Sequence, residues 1–61
     1  MDNYEKNKAI GCVKNIFDKL NSIDHELSLD NPNQGYLQEK IDPALHDMIV
    51  LNEIIQGMNK N

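Results

Sequence analysis

Apolar residues fall at Ala9, Val13, Ile16, Leu20, Ile23 and Leu27 in the first half of the chain. In the second half they fall at Leu37, Ile41, Ala44, Met48, Leu51, Ile55 and Met58. The spacings alternate four and three, the ladder of a helix packed lengthwise on another helix. A strand would need alternation at period two, and neither half shows it. The pattern predicts an all-α chain: helix one over about 3–28, helix two over about 32–58, in a single domain spanning 1–61.

The two ladders also predict how the helices meet. Folding the chain back on itself sets Leu27 against Leu37, Ile23 against Ile41 and Leu20 against Ala44. It likewise sets Ile16 against Met48, Val13 against Leu51 and Ala9 against Ile55. The two numbers in every pair add to 64, which centres the turn on Pro32, within the turn-forming stretch Leu29-Asp30-Asn31-Pro32-Asn33. An antiparallel helical hairpin follows, with these twelve residues as its expected core.

Local signals mark the ends. Asp2-x-x-Glu5 has the form of a capping box. Asn31-Pro32-Asn33-Gln34 repeats it, with Asn31 as expected N-cap and Pro32 in the tolerant first position. Gly57 and the tail Asn59-Lys60-Asn61 are expected to let the second helix fray. Gly11 sits within helix one, where glycine costs about 1 kcal/mol against alanine; close approach of a neighbouring chain is one use for it. Pro43 follows Asp42 in the second ladder, and that pair could start a new helix. The ladder passes through without losing phase, so a helix kinked near Asp42-Pro43 is favoured over one broken there.

Several apolar residues remain once the ladders are assigned. Ile10 and Phe17 on helix one, with Leu45, Ile49, Val50 and Ile54 on helix two, have no place in a two-helix core. A contiguous apolar patch marks contact with another molecule. Sixty-one residues also make a small core that commonly needs support from disulfide, metal or self-association. These six residues are the expected face for self-association or a partner, with a four-helix-bundle dimer as the expected assembly.

Composition narrows the function. Net charge is −4, divided as +1 over residues 1–19 and −5 over 20–61, and arginine is absent. A chain without basic patches or guanidinium forks is poorly suited to nucleic acid, and no such partner is expected. Cys12 is the lone cysteine, which rules out an internal disulfide and suits a reducing, cytoplasmic setting. No basic stretch followed by an apolar one opens the chain, and the longest apolar run covers residues 48–51. Neither signal peptide nor membrane span is expected. Wealth in Asn, Lys and Ile without Arg is the usage of AT-rich bacterial and phage genomes.

Candidate chemistry adds little. In the hairpin register His46 lies opposite Asp18, two turns from His25, which separates the imidazoles by about 10 Å. Cys12 lies further off, near Asn52, and no pair has zinc-ligand spacing, so no metal or cofactor is expected. His46-Asp47 and Asp24-His25-Glu26 offer at most pH-sensitive surface contacts. Ser22 and Ser28 read as ordinary helix or cap positions, and Cys12 as a small buried hydrophobe. No phosphate loop or nucleophile-base pair occurs, and no enzyme is expected. Tyr4 and Tyr36 fall near opposite ends of the hairpin.

The stretch "NPNQGYLQ", Asn31 to Gln38, followed by a heptad helix, resembles the small hairpin chaperones of type III secretion, which have comparable length and a Pro-x-Gln-Tyr-Gln turn. Gly35 interrupts the match, and no family is assigned on it. The expected function is that of a small protein–protein interaction module: a regulator, inhibitor, adaptor or chaperone. A helical oligomer whose interface binds a small ligand such as a nucleotide, through Lys6, Lys8 and Lys14, is the first alternative. A structural assembly subunit is the second.

Overall fold

The computed structural model describes residues 2–58, which form two antiparallel helices of equal length, α1 (Asn3–Leu27) and α2 (Gln34–Met58). Each has 25 residues, and each packs on the other. At the start of α1 one half of the expected capping box forms, with the Asp2 carboxylate accepting from the Glu5 backbone N–H at 2.8 Å. Its end unwinds through bonds of shorter reach: the Leu29 N–H donates to Glu26 C=O, and the Ser28 N–H is shared between Asp24 and His25 C=O. Ser28 caps that end in a right-handed conformation, and no described non-glycine residue has positive φ.

The second helix begins two residues later than expected. Asn33, not Asn31, is its N-cap, with Oδ1 accepting from the Tyr36 N–H at 3.0 Å. The Glu26 carboxylate selects this position by accepting the Asn33 backbone N–H at 2.9 Å, tying the turn to the last part of α1. Gly35 is explained by the same cap. A Cβ there would lie 3.3 Å from the Asn33 capping oxygen, tight enough to push it.

Pro43 lies inside one continuous helix, so the break considered at Asp42-Pro43 does not occur. Proline leaves the Glu39 carbonyl without its helical donor, but Glu39 and Pro43 are both exposed, where water can replace that partner. Asp42 does not cap a new helix; it accepts from the Gln38 side chain at 2.8 Å, one turn earlier. At the other end Gly57 is still helical, so it is not a stop signal. The fraying expected over residues 59–61 lies outside the described residues.

The molecule is one helical layer. Its extents are 49 × 15 × 12 Å and its radius of gyration is 14.3 Å, against about 10.5 Å for a compact chain of this length. Among the described residues only Cys12 and Ala44 are well covered, each at 8% exposure. Both are small, and one lies on each helix. Of the expected core, Ala44 is buried and Ala9, Ile16, Ile23, Leu37, Ile41 and Leu51 are half-buried. Val13, Leu20, Leu27, Met48 and Ile55 are exposed. The contact line thus runs along one edge of the ladders and includes Cys12, while the larger residues turn to one side.

Candidate interaction surface

That rotation gives the hairpin two unlike faces. On one, an open apolar groove runs between the helices for most of their length. Ile23, Ile41 and Leu45 line it near the turn, Ile16, Leu20 and Met48 at the middle, and Ile10, Val13, Leu51, Ile55 and Met58 at the far end. Cross-helix residues expected to face each other share this groove: Leu20 with Ala44, Ile16 with Met48, Val13 with Leu51, Ala9 with Ile55. Lys6, at its far end, is the lone charged residue among the described residues of the lining. Its large side chains stand open, Phe17 at 60% exposure, Leu20 and Met48 at 49%.

The opposite face is polar. Lys19 Nζ and an Asp47 carboxylate oxygen meet at 2.8 Å across the helices, both side chains partly covered. Towards the chain ends Tyr4, Glu5 and Lys8 of α1 stand beside Val50, Glu53, Ile54 and Gly57 of α2. Ion pairs of this kind contribute about 0–1 kcal/mol, so Lys19–Asp47 fixes register and facing more than stability.

The six residues expected as a free face therefore divide. Ile10 and Phe17 border the groove and Leu45 lines it near the turn. Ile49 is exposed on α2, one turn from Leu45. Val50 and Ile54 are half-buried against the start of α1 on the polar face, so they are part of the hairpin contact and not surplus to it. The groove instead recruits Val13, Leu20, Met48 and Ile55, which the ladder had assigned to the interior. Spacing alone identifies an apolar stripe but does not say whether it points at its partner helix or beside it.

The remaining candidate residues do not converge. His25 and His46 are both exposed, and the Asp47 carboxylate engages Lys19, not His46. Cys12 is a buried free thiol, in keeping with its reading as a small hydrophobe. Among the described residues no three His, Cys, Asp or Glu side chains come together as a metal site requires. Lys6 and Lys8 border opposite faces of the hairpin. The Ser22 hydroxyl donates to Asp18 C=O and that of Ser28 to His25 C=O, both ordinary helix contacts. Tyr36 carries the Lys40 ammonium 5.3 Å from its ring centroid, and Tyr4 is open to solvent. Among the described residues no helix is long and apolar enough to cross a membrane. Compared with known proteins, the chain matches no family model, no curated protein and no solved structure.

Proposed function

We propose that the protein is a small non-enzymatic protein–protein interaction module, a helical hairpin that acts through its apolar groove face and self-associates into a four-helix bundle. The observation that carries this is the direction of the ladders. In a four-helix bundle each helix has two neighbours, and its apolar stripe points between them at the bundle axis. Val13, Leu20, Met48 and Ile55 point in that way, beside the partner helix and into the open groove.

The surface area agrees. The chain exposes 4846 Å², whereas a compact 7.0 kDa protein exposes about 4,000 Å². The excess is about the 800 Å² that one partner buries in a standard interface. A regulator, inhibitor, adaptor or chaperone fits such a module, and the free Cys12 suits the cytoplasm. Sedimentation equilibrium tests the reading. The wild type is expected at twice the 7.0 kDa chain mass, and Phe17→Asp and Met48→Asp at the single-chain mass. A single-chain mass for the wild type at every accessible concentration overturns the self-association.

A further inference from the structure

The exposed edge of the groove on α1 carries its own ladder. Lys6, Ile10, Val13, Phe17, Leu20 and Asp24 follow one another at spacings of four and three. Lys6 and Asp24 are 18 residues apart, five full turns, so they stand on the same line of the helix about 27 Å from each other. Both are exposed. The strip is therefore apolar in its middle and carries opposite charges at its two ends. It is also symmetric by spacing: Lys6 and Asp24, Ile10 and Leu20, and Val13 and Phe17 are each equally far either side of residue 15.

We propose that the groove face receives a second copy of this chain through a two-fold axis across the middle of the hairpin, so that α1 lies antiparallel on α1 of the other copy. This rests on the self-association proposed above and specifies its geometry. The axis sets Lys6 of each copy beside Asp24 of the other, Ile10 over Leu20 and Val13 over Phe17. It closes two equal ion pairs at the rim of one apolar interface, the self-complementary contact that a two-fold requires. A parallel pairing of the same helices would bring like charges together at both ends.

The second helix is compatible with the same axis. Ile41 and Ile55, both in the groove lining, are equally far either side of Met48. Met48 shares a stretch of groove with Ile16. The centres of symmetry on the two helices thus agree to within one residue, about 1.5 Å along the axis. Electrostatics also favour a second copy despite its net −4 charge. Among the described residues no acid lines the groove, and Lys19–Asp47 is on the opposite face. Self-repulsion is thereby kept away from the contact.

The test uses the full chain with Cys12→Ala, in two versions: one with Ile10→Cys, the other with Leu20→Cys. Mixed under mild oxidation, they are expected to cross-link to each other. Each alone is expected to cross-link little, because like positions would be about 15 Å apart, beyond disulfide reach. Charge reversal gives a second readout that needs no cysteine. Lys6→Glu and Asp24→Lys are each expected to weaken association about tenfold by reversing two rim contacts, and the double variant is expected to restore it. A two-chain mass without the mixed cross-link and without charge rescue overturns this arrangement while leaving the dimer standing. A one-chain wild type overturns both.

Discussion

At the turn a single carboxylate decides between two adjacent caps. Asn31-Pro32-Asn33 offers asparagine at alternate positions, and sequence preference favours Asn31 because it places Pro32 first in the helix. Glu26 reaches seven residues ahead to hold the Asn33 N–H, and the Asn33 side chain then caps Tyr36. Asn33→Ala should lower stability by about 1 kcal/mol, the usual worth of an N-cap. Asn31→Ala should change it by no more than about 0.5 kcal/mol, as for a surface position. Thermal melts of the two variants decide, since 1 kcal/mol moves a midpoint by about 4–8 °C in a domain of this size. Equal effects, or a larger one at Asn31, would mean the helix starts where the sequence first suggests.

Among the elements, α2 carries the greater tension between sequence and shape. Pro43 stays within a single helix because it and Glu39 are both on the water side, and because the apolar ladder holds the segments before and after it against α1. Proline in a helix interior is disfavoured by about 3 kcal/mol relative to alanine. Pro43→Ala should therefore increase helicity by circular dichroism and raise the melting temperature, with the proposed self-association unchanged. A drop in stability would show instead that the fixed φ of Pro43 was favouring a helix start. The α1 helix has no such interruption, and its Gly11 is open, with no heavy atom of α2 within 4 Å of where a Cβ would stand. Packing against α2 therefore does not require a glycine there.

For the whole molecule the decisive quantity is thickness. A layer 12 Å deep has no interior, and two residues at 8% exposure do not make a core. Under the proposed self-association such a chain would gain most of its stability from the copy that covers the groove, because binding to the folded form alone stabilises by mass action. The melting temperature should thus rise with protein concentration, by several degrees over a hundredfold range. Scanning calorimetry at graded concentrations checks this, and a midpoint independent of concentration would falsify the dependence on self-association. Phe17→Asp should remove the concentration dependence, whereas Val50→Asp should lower stability at every concentration, since Val50 packs within the hairpin.

By itself the sequence determined two helices, their antiparallel register and the α1 start, because those follow from local periodicity, turn composition and side chains within reach of the neighbouring backbone. Leu20 with Ala44 and Val13 with Leu51 could be paired from spacing alone, since a ladder fixes position along the axis. Rotation about the axis was decided by tertiary structure. It depends on which side chains each helix meets on the other, and in this structure Cys12 and Ala44 are the covered residues while Lys19 pairs with Asp47 across the helices. In that rotation Val50 and Ile54 are half-buried and Leu20 and Met48 stand in the open groove, a choice no single helix could make because it requires the surface of the other.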